Sequence, residues 1–349
     1  MPTQTAPTVL DGPAVDDPET TPARRPTPPP PVRLLGLMAA LGAVLVALLG
    51  LFILPSLRGG AHDLPVGVVD DGGATTAFTA ALAEIDPDAF VTRTFPSQQA
   101  LADAVRDRTV VGGFVVAEGR VTTLVASAGS TAISGSVTGA GQAAAAAVTA
   151  TVEVVDVVPL PSGDPTGVGV GGLAFPLVFG GIVPVVAFRA LFPRSTAWNV
   201  AGLAGFALVG GVVVATVLRF WFGSIEAAFW PVAGSMALGI AALALPLAGL
   251  QQLVGAKGFT VGAASMMFLG NPFSGIATTG AWLPAGLGTF GQLLPPGAAG
   301  SLVRAAAYFG GAGGLGAGLT LGAWVLAGVV MLALAGVVAR RREPAAAVA

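Results

Sequence analysis

The sequence predicts a polytopic α-helical membrane protein of about six transmembrane helices, with a small mixed α/β extracytoplasmic domain between the first and second helices. Three observations predict this class. Apolar residues make up 54% of the 349-residue chain and charged residues only 10%, and the mean hydropathy of +0.82 exceeds that of ordinary soluble domains. Several uncharged stretches are long enough to cross a bilayer. Between the first two of these, the pattern changes to short β-branched runs alternating with polar helical stretches.

The N-terminal segment 1–33 is dense in proline and threonine and has almost no large apolar side chains, which predicts a disordered cytoplasmic tail. The uncharged run that follows predicts a first transmembrane helix over 34–56. Arg24, Arg25 and Arg33 precede this run, and no small-residue cleavage site follows it. We therefore expect an uncleaved anchor with its N-terminus inside the cell.

The segment 57–166 is expected to fold as the extracytoplasmic α/β domain, with the element order βαβαββαβ. Ser97 is the expected N-cap of the second helix, and Glu118 and Gly119 are expected to turn between the third and fourth strands. The predicted strands are 64–70, 90–95, 110–116, 120–126 and 152–160, and the predicted helices are 74–85, 97–106 and 132–149.

The segment 167–340 is apolar again and predicts a five-helix membrane domain, followed by a cytoplasmic tail over 341–349. The segment 282–314 is too interrupted by proline and glycine for another span and too apolar for a solvated loop, which predicts a re-entrant or interface-lying hairpin on the outer face. The predicted spans are 168–190, 197–218, 228–250, 258–280 and 317–339.

Positively charged residues collect in the loops on one side of these spans, which predicts the orientation. They are Arg189, Arg194, Lys257, Arg340, Arg341 and Arg342. Both termini are then cytoplasmic in a multi-pass protein of the cell membrane, and 57–166 is extracytoplasmic. Glu226 balances Arg219 on the outer side, whereas Arg58 and Arg304 are single exceptions.

This sequence lacks the residue patterns on which most classes of enzyme depend for catalysis. Lys257 is the only lysine and has no GxxxxGK[ST] frame, so the chain itself is not expected to hydrolyse ATP. The chain has no cysteine, a single histidine, His62, and no GxSxG elbow, so we expect no enzyme, no metal and no cofactor. A net charge of −2 offers no basic surface for nucleic acid.

A few polar residues each allow two interpretations. Asp70 and Asp71 end a predicted strand and could bind a cation, although an acidic turn is common without a ligand. The loop containing Arg189, Phe192 and Arg194 could dock a partner or only set the topology. Arg304 and Tyr308 stand one helical turn apart, and they fit a headgroup anchor or the lining of a substrate exit.

The order of segments resembles that of the permeases of type 2 ABC exporters and the related phage infection protein family. The residues that carry the resemblance begin with Leu64-Pro65-Val66-Gly67-Val68-Val69-Asp70-Asp71, which opens the outer domain after one span. They continue in Asn271-Pro272-Phe273-Ser274-Gly275, Trp282-Leu283-Pro284 and Leu293-Leu294-Pro295-Pro296-Gly297, which look like the region around the outer re-entrant helices of those permeases.

The resemblance implies a permease subunit of an ABC-type exporter that moves a hydrophobic or amphipathic substrate outward through the lipid bilayer. Two such subunits, as a homodimer or a heterodimer with a similar permease, would enclose the path, and a separate cytoplasmic ATPase would grip the loop 189–196. The alternative is a membrane-anchored surface binding or scaffold protein, phage receptor-like or secretion-associated, without transport activity. The implied ATPase-coupling residues are Arg189, Phe192 and Arg194, and the implied translocation or outer-gate residues are Asn271, Pro272, Phe273, Pro295, Pro296 and Arg304.

Overall fold

The computed structural model describes residues 29–69, 73–117, 119–284 and 286–342. The contacts between residues divide the chain into two compact units, with the boundary after Ala47. Helix α1 covers Pro30–Leu57, so helix begins within the last residues of the predicted tail. Its segment Pro30–Pro55 is long and apolar enough to cross a membrane. The expected turns at Asp70, Asp71 and Glu118 lie outside the described residues, as do most of the two predicted tails.

A five-stranded mixed sheet follows α1, with the strand order β2-β1-β3-β4-β5. Strand β1 runs parallel to both β2 and β3, while β3 and β4 are antiparallel and β4 and β5 are parallel. The sequence prediction of a small mixed sheet is confirmed, with strand ends shifted by up to a few residues. The strands are β1 Leu64–Val69, β2 Phe90–Phe95, β3 Gly112–Ala117, β4 Arg120–Val125 and β5 Thr151–Asp156.

Three helices pack on this sheet, and two of them begin at serine caps. They are α2 Gly73–Ile85, α3 Gln98–Arg106 and α4 Thr131–Ala147. The Ser97 hydroxyl accepts a hydrogen bond from the Ala100 amide at 3.1 Å, as predicted, and Ser130 accepts one from Ile133 at 3.2 Å. Each cap satisfies an amide that the first helical turn leaves unpaired. The rings of Phe78 and Phe114, 5.1 Å apart, fill the core between α2 and the sheet.

The remaining chain is helical. It contains α5 Val168–Gly171, α6 Ala174–Leu191, α7 Thr196–Thr216, α8 Phe229–Val254, α9 Ala256–Ser265, α10 Leu287–Leu293, α11 Pro295–Tyr308 and α12 Leu315–Arg342. A π-helical turn extends α7 to Trp221. Including α1, five helices in the described part of the chain are long and apolar enough to cross a membrane.

Helix α8 is the centre of this bundle, and glycines allow its neighbours to approach closely. A Cβ at Gly211 of α7 would clash with the Ala233 carbonyl and lie 2.9 Å from the Ala237 amide nitrogen. On α12, a Cβ at Gly328 would meet the Leu245 backbone at 2.6 Å, and a Cβ at Gly239 of α8 would meet the Ala299 side chain of α11 at 2.7 Å. Small residues at these positions let the backbones pack directly against one another.

The predicted fifth span, 258–280, differs from the observed structure. Helix α9 has 10 residues and continues as a 5-residue π-helical turn that ends at Gly270. At about 1.5 Å per residue this is roughly 22 Å, which is too short to cross a hydrocarbon core of about 30 Å. Pro272 cannot donate an amide to continue the helix, and Gly275 turns the chain with a φ of +63°. The apolar composition of 258–280 therefore predicts a longer helix than the structure contains.

The predicted outer hairpin, 282–314, contains α10 and α11, which are joined at the extended residue Leu294. Pro295 and Pro296 occupy the first positions of α11, where a missing amide costs no helical hydrogen bond. Helix α11 is buried against α8, so neighbouring protein covers its backbone. Its re-entry into a bilayer stays a prediction.

Candidate functional site

A cavity of about 530 Å³ lies between the α/β domain and the segment that carries α10 and α11. The α/β domain contributes Val105, Arg108, Val111 and Ile133 to its walls. The opposite wall includes Thr279, Thr289, Gln292, Ser301 and Phe309. The cavity is therefore mostly apolar, with a few hydroxyl and amide groups and one guanidinium.

The guanidinium belongs to Arg108, which follows the C-terminus of α3. Its φ of +59° places a non-glycine residue in the left-handed region, where glycine is usual after a helix. The guanidinium carbon lies 5.1 Å from the centroid of the Phe309 ring, within cation–π range. Among the described residues its Nη1 atom has no hydrogen-bond partner, although that atom is buried. This burial lowers the pKa of Arg108 from its ordinary value.

Gln292 organises the polar part of the opposite wall. Its amide nitrogen donates to the Ser274 carbonyl at 2.9 Å, and its side-chain oxygen accepts a hydrogen bond from the Ser301 hydroxyl. The hydroxyl of Thr279 is buried and has no partner among the described residues. An unpaired donor on each side, Arg108 and Thr279, leaves hydrogen-bonding capacity for a bound molecule.

Arg304 ties α11 to the α/β domain beside this cavity. Its guanidinium donates hydrogen bonds to the carbonyl oxygens of Gly129 and Ile276, and the residue is only 8% exposed. Desolvation, with the positive charge of Arg108 as the second cause, lowers the pKa of Arg304 to about 10. The burial argues against the headgroup-anchor interpretation, since protein rather than lipid surrounds the charge.

Tyr308 forms the neighbouring contact on the same face of α11. Its hydroxyl donates to the Ser224 carbonyl at 3.0 Å. Burial, with the negative charge of Asp164 as the second cause, raises the pKa of Tyr308 to about 12. The Asp164 carboxylate itself accepts hydrogen bonds from the Val168 and Gly169 amides at the start of α5.

The other predicted outer-gate residues surround the turn that follows Gly270. A Cβ at Gly270 would lie 2.9 Å from the Pro296 ring, and the Phe273 carbonyl oxygen lies against Gly291 of α10. The rings of Phe273 and Phe290 are 6.1 Å apart. Asn271 and Pro295 are buried, and Pro272 is partly buried. The structure thus brings this group together, but none of its members lines the 530 Å³ cavity.

Sequence reasoning missed the residues that line the cavity. Arg108 stands in a charged stretch, Arg106-Asp107-Arg108, that is typical of a solvated helix end. The signal that distinguishes Arg108 is its left-handed backbone, which appears only once α3 is seen to end at Arg106. Gln292 and Thr279 are single polar residues in an apolar segment, where such residues also occur without a ligand.

The predicted coupling loop is a tight, exposed turn between α6 and α7. Arg189 and Arg194 are exposed, and the Phe192 ring stacks on Trp198 with centroids 6.0 Å apart. The Asn199 amide donates to the carbonyls of Phe192 and Ser195, both at 2.9 Å. The turn is therefore held by its own hydrogen bonds and presents two guanidinium groups outward.

This turn lies at the end of the bundle that is remote from the α/β domain. Thr196, at the start of α7, donates a hydrogen bond to Gln252 near the end of α8. The end of α8 in turn packs against α12, where Gly249 faces Met331. The opposite end of the bundle meets the α/β domain and its linker, where Gly163 packs against Gly223. Exposed Lys257 follows the end of α8, and exposed Arg340 and Arg341 lie in the last turn of α12, at the same end of the bundle as the turn.

The chain has no match among family models, curated proteins or solved structures. Within the described residues, no three His, Asp or Glu side chains are grouped closely enough to hold a metal ion.

Proposed function

We propose that this chain is a permease subunit of an ABC-type exporter in the cell membrane. The observation that supports this most strongly is the polarity of the bundle. Exposed basic residues follow the helix ends at one end, and the α/β domain packs at the other. Because positive charge favours the cytoplasmic side, this polarity supports cytoplasmic termini and an extracytoplasmic α/β domain.

Exposed tryptophans support the placement of the helices in a bilayer. Trp198 is 64% exposed near the start of α7, and Trp221 is 80% exposed at the end of its π-helical extension. At about 1.5 Å per residue they are roughly 35 Å apart, close to the thickness of a hydrocarbon core. Trp230, at the start of α8, is also exposed, on the Trp221 side. Tryptophan concentrates at both membrane interfaces, so this spacing supports a helix that crosses the bilayer between Trp198 and Trp221.

The proposal assigns the translocation path to the interface between two copies or between this chain and a similar permease. Within one chain, glycine and alanine contacts fill the space around α8. A separate ATPase is required because the sequence has no phosphate-binding loop. The rigid turn with Arg189 and Arg194 is the surface that we assign to that ATPase.

Affinity purification tests this proposal. The tagged full-length chain is purified from its native membrane in mild detergent, in parallel with Arg189→Ala/Arg194→Ala and with Lys257→Ala as a matched control at the same end of the bundle. We expect a P-loop ATPase to co-purify with the wild type and the Lys257→Ala variant, and to be lost from the double variant. The proposal fails if no nucleotide-binding protein appears under conditions that recover a known ABC complex.

The close packing inside the bundle also favours a second candidate, a membrane-anchored surface binding or scaffold protein. In that case the helices only hold the α/β domain, and the basic turn serves topology alone. The same purification separates the two candidates, because the second requires no ATPase in any sample.

A further inference from the structure

The cavity between the α/β domain and α10–α11 has the volume of a small-molecule site. Its 530 Å³ fall within the range of about 300–1,000 Å³ that is common for ligand pockets. Its apolar lining includes Val105, Val111 and Ile133 from the α/β domain and Phe309 from the opposite wall. These side chains can cover a short apolar chain, and the polar end of such a molecule can lie near Arg108 and Thr279.

The charge in the cavity is uncompensated. None of its described lining residues is acidic, and Arg108 forms no ion pair with any described residue. Arg304 adds a second guanidinium nearby, and the positive charge of Arg108 lowers the pKa of Arg304. Partial burial of a cation with an unpaired donor atom costs free energy, unless an anion or another acceptor forms a hydrogen bond with that atom.

The backbone at Arg108 points to the same conclusion. A left-handed residue with a side chain is disfavoured relative to glycine, and such strain concentrates at ligand-binding positions. Glycine in this position would complete the end of α3 without strain. The conformation directs the arginine stem along Gly313 of the α11–α12 loop and over Phe309, at the edge of the cavity.

We infer that this cavity binds a single-chain anionic amphiphile, with its phosphate or carboxylate group at Arg108 and Thr279 and its apolar chain along Val105, Val111 and Ile133. The site does not require ATP-driven transport, and it exists equally if the chain is a binding protein. Its test is therefore independent of the ATPase purification.

The test is calorimetric titration of octyl phosphate into the full-length protein in phosphatidylcholine nanodiscs, with empty nanodiscs as the blank for partitioning into lipid. Inorganic phosphate and octyltrimethylammonium are titrated in parallel. We expect saturable binding of about one octyl phosphate per chain, and at least about tenfold weaker binding of the other two probes, because affinity requires both the anion and the chain.

Variants locate the site. Arg108→Gln and Arg108→Gly should weaken octyl phosphate binding at least about tenfold, whereas Arg108→Lys should retain part of it. The glycine variant keeps the test valid if glutamine disturbs folding, because glycine suits the left-handed backbone. Thr289→Trp, at an exposed position of the lining, should block the cavity. Arg106→Gln removes the same charge from an exposed position outside the cavity and should leave binding unchanged.

Three results would overturn the inference. Equal binding of inorganic phosphate would leave no role for the apolar chain, and equal binding of octyltrimethylammonium would leave none for the anion. Unchanged octyl phosphate binding by a folded Arg108→Gly variant would show that Arg108 does not hold the anionic group.

Discussion

The Arg304 guanidinium of α11 donates a hydrogen bond to the carbonyl oxygen of Gly129, which lies 175 positions earlier in the α/β domain. A second hydrogen bond from the same guanidinium reaches Ile276 in the turn after Gly270. One buried side chain therefore joins the domain, the turn and the bundle.

We expect Arg304→Met to destabilise the protein by about 2 kcal/mol. The methionine keeps most of the stem volume, but it removes the donor from the buried Ile276 carbonyl and from the partly buried Gly129 carbonyl. The cost is about 1–3 kcal/mol for each buried group left unpaired, and removal of a buried charge partly offsets it. Thermal unfolding in detergent micelles measures the change. Arg120→Met, at an exposed strand position, is the control and should have little effect. Equal stability of the two variants would contradict a clamp at Arg304.

Tyr308 can be titrated without interference because it is the only tyrosine in the chain. We expect its absorbance change near 295 nm to have a midpoint at about pH 12 in the folded protein, since burial raises the pKa of Tyr308 to about 12. In denaturant the midpoint should fall to about 10. The folded phenol then holds its proton where the unfolded one has lost it, so its contribution to stability is present below pH 10 and is lost as the pH rises towards 12. A midpoint near 10 in folded protein would show that the phenol is exposed.

Gly211 and Gly205 provide a matched pair within α7. A Cβ at Gly211 would meet the backbone of α8, whereas a Cβ at Gly205 would meet nothing within 4 Å. We expect Gly211→Ala to destabilise the bundle by about 1–3 kcal/mol, because the two helices must separate, and Gly205→Ala to be neutral or slightly stabilising. Thermal unfolding and size-exclusion profiles of the two variants measure this. Similar behaviour of both would contradict direct packing of α7 on α8.

Single cysteines can report the orientation, since the natural chain contains none. We expect a membrane-impermeant maleimide to label Glu153→Cys, on exposed β5, in intact cells. It should label Pro193→Cys, in the exposed α6–α7 turn, only after the membrane is made permeable. The positive charge around the turn is the physical reason for this expectation. The reverse labelling pattern would invert the proposed topology.

The sequence predicts most of the secondary structure because the signals are local. β-Branched runs predict all five strands, and the serine at position 97 predicts the start of α3 through its own hydrogen bond. Four of the five predicted spans after α1 correspond to long apolar helices. The prediction of a span over 258–280 is wrong because the mean apolarity of the segment contains no information about the π-helical turn and the positive-φ glycine that end the helix.

The candidate site is less predictable because it is assembled from distant segments. Arg108, Thr279 and Gln292 meet only when the α/β domain packs on α10 and α11. Their separation along the chain leaves no spacing motif to detect. The sequence predicts Arg304 as an exception to the charge distribution, and in the structure its guanidinium is buried between two carbonyl groups.

Helix α11 also has a mechanical consequence. One helical turn separates Arg304, bonded to the α/β domain, from Tyr308, bonded to the loop before α8. A displacement of the α/β domain is therefore passed to the loop before α8 through α11, in addition to the covalent linker between β5 and α5. A packed helix transmits such a displacement with little loss, since protein interiors are poorly compressible.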